Sequence, residues 1–178
     1  WKNLGDIGLA KGNAVHTYAE CHFLNESYEI PDDYKQYQNS VDRALSMLQG
    51  YDFVDTEFIV FSTELGLAGQ IDLLMKQDNI VYIFDWKTDK QILTKNGWGE
   101  SALEPISHLD DCNFNQHSIQ LNLYQRILET ENYFPGCLFF KRLIHITEKK
   151  YQLFRVPTID NEIDLMLEFE KCQKQKKY

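Results

Sequence analysis

The chain is sparing with the residues that would announce several common functions. Its four cysteines, Cys21, Cys112, Cys137 and Cys172, include no C-x-x-C pair, which argues against zinc-ribbon and iron–sulfur sites. At that density over 178 residues a disulfide scaffold is not expected either, so they read as free thiols in a reducing, intracellular setting rather than a secreted one. No phosphate-cradling G-x-x-x-x-G-K-[ST] occurs, so an ATP-driven motor would have to lie on another chain or segment. The longest clean apolar run is the five residues Ile80–Phe84, far short of what a bilayer crossing needs, and no membrane partner is expected.

Positive charge is also scarce. Lysine and arginine number 18 against 27 acids, a net charge of −9 that by itself argues against a nucleic-acid binder, because phosphate contacts are made with basic residues. The distribution weakens that objection. Between Lys141 and Arg155 five basic residues face only Glu148, whereas Glu26–Glu57 holds eight acids against Lys35 and Arg43. A second basic stretch, Lys171, Lys174, Lys176 and Lys177, reads as solvated surface.

What is present is an ordinary globular composition, 43% hydrophobic and 25% charged, sufficient for one core. Residues 1–178 are read as a single domain, and a chain opening on Trp1 without methionine is expected to be excised from, or trimmed relative to, a longer one. Periodicity predicts helices over Lys11–Leu24, about Tyr34–Gln49 with Asp32 and Asp33 as caps, His117–Leu128 and Ile159–Cys172. Strands are expected over Thr56–Ser62, Leu67–Met75, Ile80–Thr88, Cys137–Thr147 and Tyr151–Val156. Helices and strands in this order give an α/β domain with a mixed central sheet. The irregular stretch Thr88–Asn115 is long for a compact domain and is read as a flap beside the acids.

Two strands carry acids in apolar surroundings, Ile71-Asp72 and Phe84-Asp85-Trp86-Lys87. Strand alternation puts Asp85 and Lys87 on one face with Val81 and Ile83, opposite Tyr82, Phe84 and Trp86. The same rule puts Asp72 and Leu74 opposite Ile71 and Leu73, with Asp72 near Asp85 across a turn at Gln77-Asp78-Asn79. A buried acid must be paired or must coordinate, so the fragment fits either a divalent metal or a plain Asp–Lys ion pair. His16 and Glu20 share a helix face, as do Gln120 and Tyr124. The facing of Glu57 cannot be read from its strand.

Taken together, Gly12-x-x-x-His16-x-x-x-Glu20, Gly69-x-Ile71-Asp72, Asp85-x-Lys87 and Gln120-x-x-x-Tyr124 resemble, in order and on the right elements, the PD-(D/E)XK nucleases of the RecB-like branch. The stretch from Leu103 to Leu128 is similar to phage-encoded members of that branch. The resemblance implies a restriction-endonuclease-like core and a nuclease that hydrolyses DNA, single- or double-stranded, as an exonuclease or endonuclease in DNA processing, recombination or repair. It implies Mg²⁺ or Mn²⁺ held by His16, Asp72, Asp85 and the backbone carbonyl of Trp86. Lys87 would align the attacking water, Gln120 and Tyr124 would hold the phosphate, and Glu20 would support His16 from behind. Lys141, Arg142, Lys149 and Lys150 would track the nucleic-acid backbone, and a separate helicase or other replication or recombination protein is the implied partner. The rival expectation is a non-catalytic nucleic-acid-binding or assembly module that kept the fold, favoured by the acidic net charge.

Overall fold

The computed structural model describes residues 2–175 and contains helices α1 (Lys2–Leu24), α2 (Gln38–Met47), α3 (Asn113–Thr130) and α4 (Asp160–Gln175). Five strands, β1 (Asp52–Ser62), β2 (Leu67–Gln77), β3 (Ile80–Lys87), β4 (Leu138–Ile146) and β5 (Tyr151–Val156), form one sheet in sequence order. The first three strands are antiparallel, β3 and β4 run parallel with α3 as the crossover, and β4 and β5 close as a hairpin. The architecture is α/β with a mixed five-stranded sheet flanked by helices, consistent with a restriction-endonuclease-like core. None of the described helices is long and apolar enough to cross a membrane.

Each face of the sheet buries its own cluster. On one side Leu73, Met75, Tyr82, Phe84 and Trp86 pack under Val15 and Ala19 of α1 and the Val41, Ala44, Leu45 and Leu48 stripe beginning in α2. On the other, Ile71, Leu74, Val81 and Ile83 pack under Leu121, Ile127 and Leu128 of α3. The expected split of β3 is therefore observed. That of β2 is not, because Ile71 lies on the α3 side while Leu73 lies with α1, so the alternation breaks at Asp72.

Several boundaries differ from the sequence reading. Helix α1 begins well before Lys11, with Gly12 and Asn13 inside it, and after its last residue, Leu24, Asn25 takes a left-handed φ of 55° that asparagine tolerates beyond a helix terminus. Asp32 and Asp33 do not cap α2. They lie in a 3₁₀ turn, Asp32–Tyr37, that follows Pro31 and makes no side-chain cap. β1 starts at Asp52, four residues early, and α3 starts at Asn113.

The stretch between β3 and α3, expected as a flap beside the acids, lies beside the site only at its start. The Leu93 N–H donates to Asn113 Oδ1 and the Leu93 carbonyl accepts from the Phe114 N–H, tying the loop to the start of α3. Further on, His108 pairs with Glu162 of α4, and Glu104 and Pro105 lie beside Leu65–Leu67. Only Thr88, Asp89 and Lys90, at its beginning, line the groove that contains His16 and Lys87. The next residues, Gln91, Ile92 and Thr94, lie beside His145, Thr147 and Phe154 of the β4–β5 hairpin.

Candidate functional site

The site forms where β2 and β3 separate. Their pairing runs from Gln77↔Ile80 to Leu73↔Phe84 and then stops. Beyond that point the Trp86 N–H has lost its ladder partner, and it donates instead to Asp72 Oδ2 at 2.8 Å. A side-chain carboxylate thus takes over a backbone role, which fixes Asp72 in the fork between the strands. Across β2, Thr56 and Phe58 pair with Leu73 and Ile71, and between them Glu57 adopts φ = 50°. A left-handed glutamate inside a strand is strained, and such strain persists only where surrounding contacts enforce it. Its consequence is that one ligand atom from each of His16, Glu57 and Asp72 lies within 4.8 Å of the others.

His16 reaches the fork from α1. Its Nε2 lies 2.9 Å from the Trp86 carbonyl and its Nδ1 lies 3.5 Å from Asp72 Oδ2. If Nε2 donates to the carbonyl, Nδ1 presents its lone pair to the acids. Burial lowers the His16 pKa, opposed by the carbonyl contact and the charge of Asp85. Burial raises Glu57, with Asp72 adding to it. Asp72 itself is pushed up to about 7, by burial first and then by the charge of Asp85, against the pull of Lys87 and the Trp86 N–H.

Asp85 is 2% exposed on β3, and its Oδ2 sits 2.7 Å from Lys87 Nζ. At that distance the two form a buried ion pair in which the ammonium holds the carboxylate charge. Burial would lower the Lys87 pKa, yet the charge of Asp85 and then Asp72 outweighs it and the net shift is upward. The lysine is therefore an ammonium in the metal-free protein.

These residues fit a hard divalent cation. Three carboxylates and an imidazole gather at the fork with one ammonium, so negative charge is in excess and is expressed as raised Glu57 and Asp72 pKa values. The donors are oxygens plus one nitrogen, with no thiolate, a set that suits Mg²⁺ or Mn²⁺.

Other expected site residues lie differently. Glu20 makes no contact with His16, whose two nitrogens are already engaged, and is instead close enough to Glu57 to raise it. The Trp86 carbonyl is at the fork as expected, but one lone pair is taken by His16. Gln120 donates to the Tyr124 hydroxyl at 2.8 Å, and the Tyr124 ring covers Gly69, where an added Cβ would come within 2.2 Å of Tyr124 Cε1. That explains why glycine stands three residues before Asp72. The pair sits over the start of β2, beside Leu67 and Ala68, and does not line the groove containing His16 and Lys87.

The basic hairpin divides. Lys141 is 1% exposed, with its Nζ on Gln125 Oε1 and Thr158 Oγ1, so it cannot touch a nucleic-acid backbone as expected. Its strand position faces α3, and alternation sends its neighbour Arg142 to the other side, over the Phe140 ring. Lys149 and Lys150 are exposed on the turn. Glu57 was missed as a site residue because its direction comes with a left-handed backbone that strand alternation does not foresee.

No protein-family model matches the sequence, and no curated protein is similar to it. Among solved structures, a crystal structure of a protein named as a candidate exonuclease from Eubacterium rectale superposes with a TM-score of 0.57 at 14% identity. The match covers 92% of this chain and 65% of that one, so the present chain spans about two thirds of its length. At such identity the likeness concerns the fold.

Proposed function

We propose that the chain is a metal-dependent nuclease of the PD-(D/E)XK superfamily, RecB-like branch, hydrolysing phosphodiester bonds of DNA. The observation that carries this reading is the convergence of His16, Glu57 and Asp72 beside the Asp85–Lys87 pair at the fork of β2 and β3. The structural likeness to a candidate exonuclease supports it.

Asp72 and Asp85 would hold the cation, with His16, Glu57 and the Trp86 carbonyl as further donors at the same fork. When bound, the ion supplies charge stabilisation at the phosphate and a more acidic water. Lys87 carries a positive charge at the mouth of the site and would steady the attacking water and the charge developing on the phosphoryl oxygens. Asp85 positions that ammonium. Gln120 and Tyr124 offer neutral donors over the start of β2 for a neighbouring phosphate, and their own hydrogen bond would open to do so. A helicase or other recombination protein on a separate chain remains the partner that this reading implies.

The test is incubation of the chain with single- and double-stranded DNA in Mg²⁺ or Mn²⁺. Cleavage is expected, and it should vanish on chelation and in Lys87→Ala and Asp85→Ala. Cleavage that survives chelation sinks the mechanism. Binding without cleavage by the intact chain would favour the non-catalytic module.

A further inference from the structure

The groove beside the fork, about 440 Å³, takes His16 from α1, Trp86, Lys87 and Asp89 from the end of β3 and the turn after it, and His117 from α3. Helices α1 and α3 cover opposite faces of the sheet, so the two imidazoles reach the groove from opposite sides. His16 belongs to the cluster that could hold a cation. His117 is not a member of it.

His117 is instead paired with an acid. Its Nε2 is buried and lies 3.3 Å from Asp89 Oδ2. Asp89 is itself fixed, because its backbone carbonyl accepts a 2.8 Å hydrogen bond from Nε2 of His145, which is 4% exposed on β4. The His117 imidazole, with Asn113 and Lys87 behind it, holds the Asp89 carboxyl below the usual carboxylate range against the pull of burial. A carboxylate so placed accepts from Nε2–H and steadies the positive ring that exists when the other nitrogen, Nδ1, also carries a proton.

Hydrolysis of a phosphodiester expels an alkoxide, which departs most readily as it gains a proton. Few groups lining the groove can give one. Lys11 and Lys90 are ammonium ions, weak acids at neutral pH. For Lys87, burial works toward release of the proton, but the charge of Asp85 outweighs it and the net shift is upward. His16 has its nitrogens on the Trp86 carbonyl and beside Asp72. That leaves His117.

We propose that His117 is the general acid for the leaving group. As the water oxygen bonds to phosphorus and the bond from phosphorus to the bridging oxygen breaks, that oxygen takes the proton from His117 Nδ1. Asp89 steadies the ring while it is charged, the neutral imidazole regains a proton from solvent, and the proton of the attacking water passes to solvent. The inference rests on the nuclease reading.

Substrates that differ only in the leaving atom test it. A DNA oligonucleotide is compared with the same strand carrying sulfur at the bridging position, in 3′ and 5′ forms, because a thiolate leaves without needing a proton. Wild type is expected to cleave the oxygen-linked strand and one of the sulfur forms. His117→Gln should slow the oxygen-linked strand about a hundredfold and that sulfur form by no more than about twofold. Asp89→Asn should show the same selectivity with a smaller loss. Thermal melts give a reading without turnover: the Tm shift produced by Mn²⁺ should be the same in His117→Gln as in wild type, since the ring lies outside the cation cluster. Equal slowing of both strands, no slowing of the oxygen-linked strand, or loss of the Mn²⁺ shift would overturn the inference and leave the nuclease reading standing. Wild type that leaves DNA uncut would fault the nuclease reading, and this inference with it.

Discussion

Replacing Asp72 by asparagine isolates the electrical strain of the acid cluster. In the unfolded chain this carboxyl titrates at roughly 3.9, whereas in the fold burial and Asp85 push it up to about 7. The folded value is the higher one, so between the two the native state keeps a proton that the unfolded state has lost. Stability therefore falls as pH rises through that window. Full ionisation costs about 4 kcal/mol by pH 8, of which about 1.5 is already incurred at pH 5, leaving about 2.5 kcal/mol between them. Asparagine cannot ionise, and it retains an oxygen for the Trp86 N–H. Metal-free Asp72→Asn should therefore gain on the wild type by about 2.5 kcal/mol from pH 5 to pH 8, or roughly 5 to 10 °C in Tm for a chain of this size. Mn²⁺ should reverse the order. It competes with the proton, so its stabilisation of the wild type should grow with pH and weaken about tenfold in affinity per unit below pH 7, while the variant responds little. Thermal melts of both proteins in chelator and then in Mn²⁺, at pH 5, 6.5 and 8, read all of this. A gap between the two metal-free proteins that stays constant with pH would refute the reasoning.

Three other substitutions probe separate parts of the argument. Lys141 is buried without a carboxylate contact, and burial pushes its pKa down to about 8, so stability should rise with pH between there and the unfolded value. Urea melts should show wild type gaining about 3 kcal/mol on Lys141→Met from pH 7 to pH 10.5, and a flat difference would count against its burial as a cation. Glu57→Gly relieves the left-handed backbone, so the metal-free protein should gain about 1 kcal/mol while its Tm shift with Mn²⁺ shrinks; an unchanged shift removes Glu57 from the site. Gly69→Ala drives a methyl into the Tyr124 ring and should cost about 1 to 3 kcal/mol in denaturant melts. Adding Tyr124→Ala should restore part of that loss, and simple additivity would show that the ring and the glycine are independent.

The elements and their order were legible because they rest on local periodicity: the α2 stripe, the β3 alternation and the Asp78 turn all follow from residues close in sequence. That Asp85 would find a counter-charge in Lys87 was legible too, since acids in apolar strands require one wherever the strands go. Three things depended on contacts between distant segments. The fork of β2 and β3 turned Asp72 onto a backbone N–H and, with it, broke the strict alternation. A left-handed residue in β1 brought Glu57 into the cluster, and His16 met the Trp86 carbonyl where Glu20 had been expected to serve the imidazole. Packing under α3 buried Lys141 and left the turn lysines outside, so one basic run in the sequence became a core residue and a surface track. Side-chain type states what chemistry is available. Which side of a sheet receives it is set by register and by the helix laid across that face, and these are properties of the whole fold.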